Sequence, residues 1–320
     1  MSRPTKAELG AWIGGLATWT EEETRTAFLS IAFTWKIPEA RRWAIYYGQI
    51  GYKVVAGGPA LFLPKMRALL ADVAETPLVW RMIDGRLKQV PAPKKDVVIR
   101  HNPMATKASD GCDQGCSFCI VTALEGKEYT LYPDFPVRPV LTDNNLSGLP
   151  AEYQQHIVDR YLAAGVRLAD ANSGFEPHTF DGEVFERWKA INDGPWRFAF
   201  DDLQESQEVD RVFDMLDRNN VPAKKRRVYV LIGNEPFEAC MERIQRVIER
   251  GGEPHVQPYM KLNALKRRPH ARFDWTVQRL VDVARWANGW VWRTTPFEEY
   301  DRSIKKPRPL RYRAVDGLFI

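Results

Sequence analysis

The sequence predicts an α/β protein in two parts, a small N-terminal βαβ unit and a longer series of six strand–helix units. Three observations carry this. From residue 97 onward, short apolar runs bounded by turn residues recur along the chain. After the second run their spacing settles near about thirty residues, the length of one strand–helix unit in a parallel α/β fold. Between the runs lie amphipathic stripes that end in stop signals.

Taken in order, residues 27–32 read as a strand, 38–49 as a helix, and 52–56 as a second strand leading into Gly57-Gly58-Pro59. Residues 83–96, with Asp84-Gly85 and Pro91-Ala-Pro93, read as a turn and linker. The six later strands are expected at 97–101, 138–142, 166–170, 196–200, 227–232 and 255–259. Tyr153, Ile157, Val158, Tyr161 and Leu162 form a helical stripe that stops at Gly165. Val209, Val212, Phe213 and Leu216 form another before Asn219-Asn220-Val-Pro222, and Phe237, Met241, Ile244, Val247 and Ile248 a third, with Cys240 on its apolar face as a core residue. A last helix near 275–286 and the apolar run 289–292 are expected to cap the fold. The parts divide as residues 1–90, 91–300 and a basic tail at 301–320.

Composition sets limits. The chain has 320 residues, 44% of them hydrophobic, with 11 Trp and 15 Phe, enough for a substantial core. No apolar run approaches the length of a membrane span, and the N-terminus lacks the apolar core of a signal peptide. Four cysteines, three of them clustered, point to a reducing compartment, so a cytoplasmic protein is expected. Charge is uneven: residues 221–320 carry 21 Lys and Arg against 11 Asp and Glu, whereas the first 220 carry 25 against 30. The basic clusters at 224–227, 266–268 and 305–308 suit a phosphate-rich partner or a set of solvated loops.

The densest chemical signal is Cys112-Asp-Gln-Gly-Cys116-Ser-Phe-Cys119. Thiolates separated by three and then two intervening residues can surround a cubane of iron and sulfide and leave one iron without a protein donor. A zinc site would need a fourth ligand; the nearest histidine, His101, lies eleven residues upstream, and no second CxxC pair is present. The motif resembles that of the radical SAM enzymes. The resemblance implies a partial (β/α)6 radical SAM barrel with a small N-terminal Rossmann-like βαβ domain. It also implies a [4Fe-4S] cluster on Cys112, Cys116 and Cys119, and S-adenosylmethionine (SAM) cleaved at the open iron to a 5'-deoxyadenosyl radical. The family's aromatic residue before the third cysteine is Phe118. By the same resemblance, Asp143-Asn144-Asn145 stands after the second strand where the family often has Gly-Gly-Glu against the methionine amine. Asp201, with Asp202 as the alternative register, and Gly233-Asn234 stand where ribose and adenine contacts are expected, and Glu125-Gly126 where the cysteine loop closes.

Residues 25–65 loosely resemble a shortened cobalamin-binding domain, but its histidine motif is missing and residues 1–100 contain no histidine, which argues against histidine-ligated cobalamin. Strand alternation places Asp170 and Asn172, with Leu168, on one face of the third strand, and His255, Gln257 and Tyr259 on one face of the sixth. These polar residues are the candidate substrate contacts, with 173–178 a second choice. The expected partners are a reductant such as flavodoxin or ferredoxin, and a nucleotide or nucleic-acid base as substrate. The alternative is a non-catalytic iron–sulfur protein for electron transfer or sensing.

Overall fold

The computed structural model describes residues 12–92 and 97–304. The N-terminal unit is a three-stranded sheet of β1 (Leu16–Glu21), β2 (Thr26–Ile31) and β3 (Lys53–Gly57), in that order. β1 lies antiparallel to β2, and β2 parallel to β3. The connecting helix α1 (Ile37–Gln49) opens with Pro38 in its first turn, where a missing amide proton costs nothing. Its residues Ile37, Ala40 and Ala44 are buried with Leu29, Ile31, Val54 and Ala56. After β3 the chain turns at Gly58 (φ +103°), where a Cβ would come within 2.6 Å of the Ile31 carbonyl oxygen. The βαβ unit expected from sequence is therefore present, with β1 as an additional edge strand.

Beyond α2 (Pro64–Ala68), β4 (Leu78–Ile83) and β5 (Arg86–Pro91) form a hairpin. Its two-residue turn is Asp84-Gly85, both at positive φ (49° and 69°), as tight hairpins require. The stretch read as turn and linker is thus mostly ladder, and residues 93–96 lie outside the described residues.

The expected first strand at 97–101 is instead a helix, α3 (Val97–His101). Val98 and His101, one turn apart, are buried; His101 Nε2 lies 2.9 Å from Ser30 Oγ, and its ring meets Trp12 edge-on at 4.9 Å. Packing on two sides, His101 against Ser30 and Val98 against Ala105 and Val140, overrides the β-propensity of Val-Val-Ile. The strand role passes to β6 (Ala105–Thr106).

Next come β7 (Ser109–Asp110), α4 (Val121–Leu124) and β8 (Thr130–Leu131), where β7 and β8 pair antiparallel around the cysteine loop. The chain continues through β9 (Val140–Leu141), α5 (Ala151–Ala163), β10 (Asp170–Ala171), α6 (Gly182–Lys189), β11 (Trp196–Ala199), α7 (Ser206–Arg218), β12 (Arg226–Ile232), α8 (Phe237–Glu249), β13 (Glu253–Pro258) and α9 (Val277–Asn288). β6, β9 and β10 form one parallel sheet, and β11, β12 and β13 another. A parallel bridge from Phe175 to Phe198 joins the chain after β10 to β11, so the strands follow one another laterally in chain order. The fold is mixed α/β, and no closed barrel forms among the described residues.

Two apolar cores lie under these sheets. One packs Leu141, Ala171 and Phe175 against Tyr161 and Trp188; the other packs Val228, Val230, Ile232 and Val256 against Cys240, Ile244 and Leu280. Alternate residues of β12 and β13 therefore point away from the helices, and those faces carry the polar side chains described below. The run 289–292 joins no sheet: Val291–Arg293 is a 3-10 turn with Val291 buried. No helix among the described residues is long and apolar enough to cross a membrane. The basic cluster at 305–308 lies outside the described residues.

Candidate functional site

The cysteine loop leaves the sheet beyond β6 and is stapled at its base by the β7–β8 ladder. Gly111 (φ +98°) makes the first turn, where a Cβ would sit 2.3 Å from the Glu128 carbonyl oxygen. The Cys112 amide donates to the Gly126 carbonyl at 3.1 Å, and the Cys119 amide to the Cys116 carbonyl at 3.1 Å. All three cysteines are free and half-buried, and Phe118 between them is half-buried too. Burial pushes the Cys112 thiol up to about 11 and Cys116 up to about 12, and raises Cys119. Neighbouring carboxylates add to this: Asp113 and Glu176 at Cys112, Asp201 and Glu176 at Cys116, Glu125 and Asp201 at Cys119. Among the described residues, no three His, Cys, Asp or Glu side chains converge closely enough to hold one metal ion.

The triplet after β9 fastens this loop. Asp143 is fully buried and accepts from the Ala108 amide at 3.0 Å and from Ser109 Oγ at 2.5 Å. Its carboxylate is thus engaged from inside the protein as well as being a candidate for the ammonium contact expected of it. Asn144 Nδ2 donates to the Gly111 carbonyl (2.9 Å) and to Glu125 Oε2 (2.7 Å). Asn145 Nδ2 donates to Asp113 Oδ1 at 2.9 Å, which also accepts from Tyr129 Oη at 2.8 Å. Glu125 is the hub: it accepts from Lys107 Nζ (2.8 Å) and from the Gly111 amide (2.9 Å). The hairpin turn joins the brace, as Asp84 Oδ1 accepts from the Lys127 amide at 2.7 Å.

At the end of β11, Asp201 accepts from the Leu231 amide at 3.0 Å, and burial pushes its carboxyl up to about 6. Asp202 is exposed and caps the following turn, accepting from the Gln204 amide at 2.9 Å. Glu205 closes that capping box by accepting from the Asp202 amide at 3.3 Å, and it also accepts from the Asp201 amide at 3.0 Å. Glu176, on the loop after β10, is pushed up to about 8, first by burial and then by the charges of Glu205, Asp201 and Asp113. Gly233 (φ +87°) is needed for its backbone and for the approach of Leu280, whose Cδ2 would lie 2.9 Å from a Cβ there. Its closest neighbour is thus helix α9.

The face of the sheet turned from the helices carries most of the expected substrate residues. Asp170 is fully buried in a two-pronged ion pair with Arg197, whose Nε reaches Oδ1 at 2.7 Å. Arg197 Nη1 donates to Tyr229 Oη (2.9 Å), which donates to the Asn172 carbonyl (3.0 Å). His255 meets the Tyr229 ring edge-on at 5.3 Å; burial, then Arg227 and Arg197, push its imidazole down to about 4, so it is neutral at neutral pH. Gln257 is exposed and Tyr259 half-buried. Leu168 does not share the face of Asp170, because the amides of Ala169 and Asp170 both reach the Pro139 carbonyl and the strand slips by one residue, sending Leu168 into the core. Arg197 and Tyr229 were not anticipated. The available signal was an arginine inside the apolar run Trp196-Arg-Phe, which demands a buried partner on a neighbouring strand.

A cavity of about 350 Å³ lies between the N-terminal unit and the cysteine segment, walled by Trp12, Phe28, Gly58, Val90, Lys107 and Glu125. No family model matches the chain, and no curated protein matches it.

Proposed function

We propose that this chain is a radical SAM enzyme whose six parallel strands, β6 and β9 to β13, make a partial (β/α)6 radical SAM barrel. Cys112, Cys116 and Cys119 would hold a [4Fe-4S] cluster with SAM at its fourth iron. A cluster bound there would supply the electron that cleaves SAM, and with it the means to take hydrogen from a substrate. The observation that supports this reading best is the position of the cysteine loop at the strand ends, with Asp201 and Glu176 facing its thiols. Three free thiols on one short loop with carboxylates nearby would supply the donors for a positively charged, thiophilic group once drawn together around it.

The chain's own residues divide the remaining work. Glu125, Asn144 and Asn145 set the loop's shape. Asp201 and Glu176, with the Asp143-Asn144-Asn145 triplet, would be the acceptors for an ammonium or ribose hydroxyl. The neutral His255, with Tyr229 and Tyr259, offers hydrogen bonds and ring faces suited to a nucleotide base. A flavodoxin or ferredoxin would supply the electron from the exposed side of the loop at Asp113, Gly115 and Ser117. Cobalamin forms no part of the proposal.

Anaerobic reconstitution with iron and sulfide, followed by dithionite and SAM, tests it. The expected result is 5'-deoxyadenosine from the native chain and none from Cys116→Ala or Cys119→Ala. A cluster that forms but neither changes its spectrum with SAM nor yields 5'-deoxyadenosine would leave the electron-transfer or sensing alternative.

A further inference from the structure

We propose that the loop after β13, residues 259–273, is a phosphate-binding site through which a nucleotide, free or within a nucleic-acid strand, is held at the mouth of the fold. This deepens the preceding proposal and rests on it for the meaning of "substrate", though not for the binding itself. The loop carries five cations, Lys261, Lys266, Arg267, Arg268 and Arg272, and no carboxylate. All five are exposed, and none forms an ion pair among the described residues. Several arginines elsewhere are neutralised: Arg226 pairs with Asp217, Arg250 with Asp214 and Arg302 with Asp282. The nearest acid, Asp274, turns away to accept from the Phe237 amide at 2.9 Å.

The loop is a shaped surface. Thr34 Oγ1 of the N-terminal unit donates to the Ala264 carbonyl at 2.6 Å, and the His270 amide donates to the Tyr259 carbonyl at 2.9 Å. Lys261, Lys266, Arg268 and His270 wall a basin of about 550 Å³, a size that suits a nucleotide. Beside it the Arg272 guanidinium lies 5.4 Å from the Tyr259 ring and 5.3 Å from that of Phe273, which is 59% exposed and free to stack on a base. Tyr259 also ties the loop to the strand-end rim, its amide donating to the Ile232 carbonyl at 2.7 Å. Unpaired cations around a basin with aromatic faces are the elements of phosphate and base recognition.

The test is fluorescence anisotropy on the full chain with two probes, a labelled deoxynucleoside triphosphate and a labelled oligo-dT strand, across a salt series. Binding of either probe that weakens with salt is expected. It should fall about tenfold or more in Lys266→Glu/Arg268→Glu, with a salt slope lower by about two. Lys225→Glu, in the basic cluster at 224–227, should bind like the native chain. Triphosphate binding alone marks a free nucleotide as the source, and strand binding alone a nucleic acid. No binding of either probe at low salt, or equal binding by native chain and double variant, overturns the proposal. The assay needs neither cluster nor SAM, so its failure is separate from failure of the 5'-deoxyadenosine test.

Discussion

Replacing Glu125 by glutamine probes the brace that shapes the cysteine loop. The native carboxylate takes hydrogen bonds from Lys107 Nζ, the Gly111 amide and Asn144 Nδ2, and both it and Lys107 are only 15% exposed. Removing one partner of a buried ion pair costs about 3–5 kcal/mol when the remaining charge is left alone. Lys107 keeps Asp110 at 2.7 Å, which places the loss at the lower end, about 3 kcal/mol. The new amide must also turn its NH2 toward a site filled with donors, adding about 1 kcal/mol. Urea unfolding of the Glu125→Gln chain should therefore show about 3–4 kcal/mol less stability than the native chain. The control is Glu128→Gln, an exposed residue three positions on, expected within about 0.5 kcal/mol of native. If the two variants unfold alike, Glu125 does not hold the loop and the reasoning fails.

Three further outcomes are expected. Gly111→Ala combines positive φ with a Cβ 2.3 Å from a backbone oxygen and should cost about 3 kcal/mol or more, whereas Gly165→Ala, at φ +60° in open space, should cost about 1; urea midpoints compare them. Arg197→Met should destabilise by about 3–5 kcal/mol by stranding Asp170, and adding Asp170→Leu should recover most of it, as a double-mutant cycle would show. His101, 6% exposed, has its imidazole pushed down to about 4 by burial. A depressed histidine gives stability that is complete above its unfolded value near 6.5 and is lost as pH falls toward 4, at most about 3 kcal/mol. His101→Gln should therefore lose less stability than the native chain between pH 7 and 4, and parallel curves would refute this.

Periodicity made the α/β class legible. Val228, Val230 and Ile232 alternate inward on β12, and the stripes at 153–162 and 209–216 fall on α5 and α7. It failed at 97–101, where β-branched residues dock as a helix that sets His101 against Ser30 of the N-terminal sheet and Val98 against Ala105 and Val140. The Asp84-Gly85 hairpin had its signal in the sequence, a two-residue turn between alternating segments, but the same residues also read as a linker. For the site, spacing singled out the cysteines as candidates, and the triplet does follow β9. It could not orient Asp143, whose partners Ala108 and Ser109 lie 35 and 34 residues away in sequence. Nor could it foresee the slip at Ala169–Asp170, which depends on one carbonyl of the neighbouring strand.

The distribution of charge around the thiols bears on why the loop is built as it is. Its neighbours Asp113, Glu176 and Asp201 are acidic. Cations that could offset them are committed elsewhere: Lys107 to Glu125 and Asp110, Arg197 to Asp170, and the fully buried Arg243 to Glu235 and the Phe200 and Leu231 carbonyls. Lys127, beside Gly115, is exposed to solvent, where its charge is screened. Thiolates gathered among carboxylates would repel one another, so a loop held by neutral amides and a saturated lysine gains most when a cationic group arrives with its ligand. An iron–sulfur cluster carrying a SAM sulfonium and ammonium is such a combination. On the proposed reading, the same logic separates the two ends of the active site: acidic residues would face the sulfonium cofactor, and the unpaired cations of 261–272 would stand where a phosphorylated substrate enters.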